Sequence, residues 1–254
     1  MRAWNLISGK KKKNTDSWNI RTDFGPNLSF AVTEAYKLMR TNIMFSFPDE
    51  GVGHVIGITS SVQNEGKSST ACNTAYALSE AGRRVLLIEG DLRKPTLGSK
   101  LGLARSPGLT NLLVSRSDYR DVVQQVSAAP NLSVITSGDI PPNPSELLSS
   151  GRMEQLLQQL KQDYDYIVID LPPVTPVSDA VAISKFIDGM AIVIRAHHSD
   201  QLMLAETLRQ LEMVNVRVLG FVYRDSDEVN NKYGKTYGRK YYKYYKYYNA
   251  YAKK

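Results

Sequence analysis

The chain has 254 residues, 42% of them hydrophobic and 22% charged, enough for one sizeable core and one globular domain. Its single cysteine, Cys72, excludes an internal disulfide framework. There is neither a run of about 18 apolar residues nor a signal-peptide segment, so any membrane association is expected to be peripheral or through a partner. The formal charge of +7 is uneven: residues 229–254 hold eight Lys/Arg and no acid, residues 1–21 hold six Lys/Arg against Asp16, and residues 22–228 carry the remaining −6. An acidic middle between basic ends suits an acidic partner or an anionic membrane face.

Residues 1–30 include the run Lys10-Lys11-Lys12-Lys13 and the turn Gly25-Pro26-Asn27, without sustained periodicity. They are expected to form a flexible basic arm. The lysines read first as a solvated charge run, with attraction to anionic lipid as the functional alternative. Residues 29–42 have the pattern of an amphipathic helix. Glu34, Lys37 and Arg40 recur on it at three-residue spacing, either to meet charges on a neighbouring subunit or as a plain exposed ion-pair face.

His54–Thr59 is a short apolar run, and it leads into Ser60-Ser61-Val62-Gln63-Asn64-Glu65-Gly66-Lys67-Ser68-Ser69 and then a helical pattern. A strand, a tight loop and a helix N-terminus in that order form a phosphate cradle: inward amides, a lysine for the β/γ-phosphates and a hydroxyl for Mg²⁺, all at the positive end of a helix dipole. Gln63, Asn64, Glu65, Gly66, Lys67, Ser68 and Ser69 are the candidate nucleotide-binding residues. The loop begins irregularly, with Ser61 where the usual pattern has its first glycine, and a Gly-Lys-Ser on an ordinary surface turn is the plain alternative.

The following helix presents Ala71, Ala75, Leu78 and Ala81 on a narrow face and is expected to stop at Gly82. Val85–Ile88 is continuously apolar, as in a parallel strand buried on both faces, and it runs into Glu89-Gly90-Asp91-Leu92-Arg93-Lys94-Pro95. Open α/β sheets bind ligands at the carboxyl ends of their strands, so Glu89 and Asp91 are candidate catalytic residues and Asp91 a metal ligand. A strand is expected at 132–136 and an amphipathic helix at 152–162. Tyr166–Ile169 then ends in Asp170, followed by Leu171-Pro172-Pro173, the shape of a segment whose carboxylate holds Mg²⁺. Further strands at 191–195 and 216–223, with a helix at 201–213 between them, complete an α/β pattern: a doubly wound, mostly parallel sheet of the P-loop NTPase type. His197 and His198 read as loop residues just past a strand end, with nucleotide contact as the lesser alternative.

The tail holds Tyr233, Tyr237, Tyr241, Tyr242, Tyr244, Tyr245, Tyr247, Tyr248 and Tyr251, nine of the fifteen tyrosines, interleaved with bases. With no large aliphatic residue to pack, it is expected to be flexible. It reads as a solubilising tail, as a nucleic-acid binder, or as a set of phosphate acceptors. Full phosphorylation would take its charge from +8 to roughly −5 to −10. The nucleotide site favours the third reading, because a chain that binds ATP beside clustered tyrosines can modify itself or a neighbour.

In combination these stretches resemble the bacterial tyrosine kinases of capsule and exopolysaccharide synthesis. Residues 60–69 are similar to that family's Walker A, 85–95 to its Walker A′, 167–173 to its Walker B with the double proline, and 233–251 to its tyrosine cluster. Residues 141–148 resemble a further family stretch, and Glu34, Lys37 and Arg40 its oligomerisation motif. Gln63-Asn64 stands where the family has Pro-Gly, Glu89 where it has Asp, and Lys37 where it has Arg; residues 221–224 depart from the usual stretch.

The resemblance implies an ATP- and Mg²⁺-dependent protein-tyrosine kinase that phosphorylates its own tail in trans. Lys67, Glu89, Asp91 and Asp170 would carry catalysis, Ser68, Asp91 and Asp170 would hold the metal, and Ser69 would touch the α-phosphate. It further implies a cytoplasmic enzyme at the inner membrane face, activated by the cytosolic segment of a membrane-anchored protein, forming a ring-like homo-oligomer and acting on other protein substrates. A cognate tyrosine phosphatase would oppose it, and nucleic acid is not an expected partner. The rival reading is a positioning or partitioning ATPase with the basic tail as anchor; its usual second lysine early in the loop is missing from Ser61-Val62-Gln63.

Overall fold

The structure is a computed structural model that describes residues 2–7, 23–47, 51–115 and 117–225. Eight strands form one sheet in the order β1-β8-β7-β2-β6-β3-β5-β4. They are β1 (Arg2–Ile7), β2 (His54–Ser60), β3 (Val85–Glu89), β4 (Gln124–Val126), β5 (Ala129–Ile135), β6 (Tyr166–Asp170), β7 (Gly189–Arg195) and β8 (Val218–Asp225). Every pairing is parallel except the short edge strand β4 against β5. The doubly wound parallel sheet expected from the alternating pattern is present.

Period-two alternation of apolar residues explains how both faces are filled. Val85 and Leu87 of β3, Tyr166 and Val168 of β6, and Ala191 and Val193 of β7 face one layer. It contains α1 (Phe30–Ser46), α2 (Lys67–Glu80) and α3 (Leu97–Leu101). Leu86 and Ile88, Ile167 and Ile169, and Met190 and Ile192 face the other. There lie α4 (Leu109–Val114), α5 (Pro144–Leu148), α6 (Gly151–Asp163), α7 (Asp179–Ile183) and α8 (Gln201–Met213). Continued by the same alternation, Glu89 and Asp170 fall on the α2 side, and the two are register partners across β3 and β6.

Part of the arm expected at residues 1–30 is built into the domain. Arg2–Ile7 pairs in parallel with β8 at the sheet edge, and Phe24 is buried beneath α2, edge-on to Tyr76. Arg2–Ile7 alternates too weakly to announce a strand, and its pairing with β8 is set by residues more than two hundred positions away. Helix α1 runs four residues past the expected end, held by buried Val32, Tyr36, Met39 and Ile43. Helix α2 is buried nearly all round rather than on one face, while Ala81 lies beyond its last turn and is exposed. The tail, with all nine of its tyrosines, lies outside the described residues.

Candidate active site

The loop between β2 and α2 turns on two left-handed residues, Asn64 (φ 63°) and Gly66 (φ 91°). Asn tolerates that conformation better than other side chains, so Asn64 serves in the place of a second glycine. Gly66 caps α2, and Lys67 and Ser68 open the helix, their amides aimed out of its N-terminus.

The loop is also held from outside. Glu65 is fully buried, accepts from the Val62 amide at 2.9 Å, and accepts from the Ser199 hydroxyl. Arg195 donates to the Asn64 carbonyl at 2.9 Å, and His198 Nε2 lies 2.8 Å from the Gln63 carbonyl. The segment after β7 thus straps the phosphate loop, which gives Arg195, His198 and Ser199 a role that the sequence left unassigned. The signal was there in the rule that puts functional groups at strand ends. Gln63 also accepts from Lys94 Nζ at 3.3 Å.

Lys67 Nζ meets Asp91 Oδ2 at 3.1 Å, while Asp91 Oδ1 accepts from the Lys94 amide at 3.0 Å. Asp170 is 1% exposed, and its Oδ1 has no hydrogen-bond partner. Burial pushes its carboxyl up to about 7; Lys67 and the Ser68 hydroxyl pull it down, and Asp91 and Glu89 push it up again. A buried carboxylate oxygen with nothing to accept from is costly, and a cation beside it would remove the cost. Among the described residues no group of three His, Cys, Asp or Glu forms a self-sufficient metal cage. Asp170, Asp91 and the Ser68 hydroxyl are the side chains that could hold Mg²⁺ here, an ion that keeps waters and takes phosphate oxygens as ligands.

Glu89 does not take the place expected of it. Its carboxylate is 1% exposed and accepts from the backbone amides of Thr96 and Leu97 and, at 3.0 Å, from that of Ser137. The longer arm that replaces Asp carries the carboxylate past the site, into the start of α3 and the end of β5. There it caps α3 and fixes the loop that holds Asp91, so its position is that of a scaffold residue.

Arg93 forks onto the fully buried Asp179 at 2.7 and 3.0 Å, and Asp179 also accepts from Ser145. Within the stretch at 141–148, Ser145 thus joins the Arg93 loop to α7. Glu34 and Lys37 pair with each other at 2.9 Å, whereas Arg40 turns inward to the Ala77 carbonyl at 3.0 Å and Glu80 at 3.7 Å. The three do not present one outward face. No helix among the described residues is long and apolar enough to cross a membrane.

Residues 53–215 match the family model of an AAA domain. Over 190 residues the chain is 38% identical to the tyrosine-protein kinase YwqD of Bacillus subtilis, covering 75% of this chain and 79% of YwqD. The chain belongs to the bacterial tyrosine kinases. The tyrosine-protein kinase ptk of Acinetobacter johnsonii is 36% identical over 217 residues, 85% of this chain and 28% of ptk. Among solved structures, the chimerical protein CapA2B2 superposes with a TM-score of 0.75 at 32% identity, covering 86% of this chain and 92% of that one. The sequence's two readings are thereby decided for the kinase, an ATP-binding transferase of the P-loop type, and against the positioning ATPase.

Proposed function

We propose that this kinase transfers the γ-phosphoryl group of ATP, with Mg²⁺, to tyrosines that include its own C-terminal cluster in trans. The observation that carries the reading is the convergence of Lys67, Asp91, Ser68 and the unsatisfied oxygen of Asp170 at the N-terminus of α2. The loop amides and Lys67 hold the β/γ-phosphate charge, with Ser69 toward the α-phosphate. Ser68, Asp91 and Asp170 hold the metal, which when bound neutralises charge on the transferring group. Asp91, whose Oδ2 meets Lys67 while its Oδ1 accepts from the Lys94 amide, orients the tyrosine hydroxyl. Phosphoryl transfer asks for alignment and electrostatics more than for a strong base, so a tyrosine of ordinary acidity suffices as acceptor.

The biological setting follows from the family resemblance. We propose regulation of capsular or exopolysaccharide synthesis, a membrane-anchored activator touching the kinase through its cytosolic segment, a ring-like homo-oligomer in which Arg40 would leave its contact with Ala77 to act beside the exposed Glu34 and Lys37, and reversal by a tyrosine phosphatase. That this chain spans only 28% of ptk supports an activator, since there the kinase segment is joined to much additional polypeptide. The deciding experiment is mass spectrometry of the protein as expressed beside Lys67→Met. Phosphate on Tyr233–Tyr251 that disappears in the variant is the expected result. Phosphate persisting in the variant, or absent from both with Mg-ATP and activator segments supplied, would overturn the reading.

A further inference from the structure

β8 runs through Phe221-Val222-Tyr223-Arg224 to Asp225, and its alternation puts Val222 in the α1/α2 layer and Phe221 in the other. Arg224, two residues past Val222, is on the α2 side. Its guanidinium lies directly against Gly66: a Cβ built on that glycine would overlap Nη1. Among the described residues no carboxylate forms an ion pair with Arg224. The strand itself is fixed, since Arg224 pairs in register with Arg195 and its carbonyl accepts from the Ala196 amide at 2.8 Å.

The order of the strands says which end of a nucleotide this cation meets. Asp170 ends β6 and Asp91 follows β3, both on one side of β2. They mark the end where the phosphoryl group leaves. β7 and β8 lie on the other side of β2, so a cation reaching the loop from β8 meets the opposite end of the phosphate chain. We propose that Arg224 is a nucleotide-binding residue that contacts the α-phosphate, clamping the phosphate chain against the α2 N-terminus from the side opposite Lys67 and Asp91. The proposal rests on the site being an ATP site and adds to it a contact from a strand outside the three Walker segments.

The surroundings agree. Lys100 on α3 has its ammonium pushed below the usual range by burial, and Arg224 and Lys67 add to the push while Cys72 and Asp170 oppose it. Cations crowded in this way around a helix N-terminus gain from a polyanion. Gly66 is required by its left-handed φ, and the absence of a Cβ leaves room for the guanidinium seated on it.

The test is titration calorimetry of Mg-ATP, Mg-ADP and inorganic tripolyphosphate with the full chain, Arg224→Ala and Arg224→Lys, each variant's fold confirmed by its melting temperature. Loss of one charge-assisted contact predicts about tenfold weaker binding of ATP and ADP alike in Arg224→Ala, partly restored in Arg224→Lys. Tripolyphosphate is expected to weaken by a similar factor. Equal affinities in Arg224→Ala and the unsubstituted chain would overturn the proposal and leave the kinase reading intact. Weakening of ATP alone would move the contact to the γ-phosphate, and weakening of ADP but not tripolyphosphate would move it to the nucleoside; either overturns the α-phosphate assignment. Absence of nucleotide binding by the unsubstituted chain would overturn the kinase reading and this inference with it.

Discussion

Lys67 and Asp91 form an ion pair at 3.1 Å across the mouth of the site, their side chains only 13% and 8% exposed. The lysine proposed for the phosphates is thereby held by the carboxylate proposed for the acceptor. Lys67→Met leaves Asp91 nearly buried and unpaired, which should cost about 3 kcal/mol of unfolding free energy. Adding Asp91→Asn removes the stranded charge, so the double variant is expected to recover most of that stability and none of the transfer activity. Denaturant midpoints for the four proteins of the cycle provide the check. Strictly additive losses would mean that the pair contributes nothing.

Glu89 and Asp91 make opposite predictions. Glu89→Gln turns one acceptor oxygen into a donor facing a backbone amide, so it should lower stability by about 2–3 kcal/mol while leaving Asp91 in place. Asp91→Asn should keep ATP binding and lose phosphate transfer. If Glu89→Gln, assayed well below its melting temperature, lost transfer with ATP binding retained while Asp91→Asn did not, the roles assigned here would be reversed.

Asp170 gives the ligand-free protein a pH signature. Its carboxyl is raised from 3.8 to about 7, so the folded state holds this proton more tightly than the unfolded state does. That contribution is complete below about pH 4 and is lost as pH rises through 7. Asp170→Asn carries no such penalty. It should match the unsubstituted chain near pH 4 and exceed it above pH 7, with a ceiling of about 4 kcal/mol set by the size of the shift. Parallel stability profiles for the two proteins between pH 4 and 8 would contradict the assignment.

Asp179 ties three segments together, and its loss should be felt away from the phosphates. Asp179→Ala removes the acceptor for Arg93 and Ser145 within a buried pocket. Arg93 is itself 42% exposed and can turn to water, which limits the cost to about 2 kcal/mol. Nucleotide affinity should fall less than stability. A melting temperature unchanged within a degree would show that the fork holds nothing in place.

Much of this site was legible in the sequence, because its parts are local. An apolar run ending in a carboxylate, or a glycine before Lys-Ser at a helix start, needs only a few neighbouring residues, and β2, β3, β6 and α2 lie where those patterns put them. What escaped was the wiring between distant segments. Arg93 finds Asp179 86 residues away, and His198 meets Gln63 135 residues away. Only the strand order brings such pairs together. Glu89 misleads for a related reason: the spacing of a Walker A′ motif places its backbone but not the end of its longer side chain.

The three amides that Glu89 gathers come from residues 96, 97 and 137, so the carboxylate is satisfied only once β5 has paired with β3. Until then Oε2 lacks its Ser137 partner while Oε1 keeps the nearby Thr96 and Leu97 amides, which penalises a half-assembled form. The pairing of β5 with β3 and the setting of the loop that carries Asp91 are therefore expected to be coupled through this one side chain.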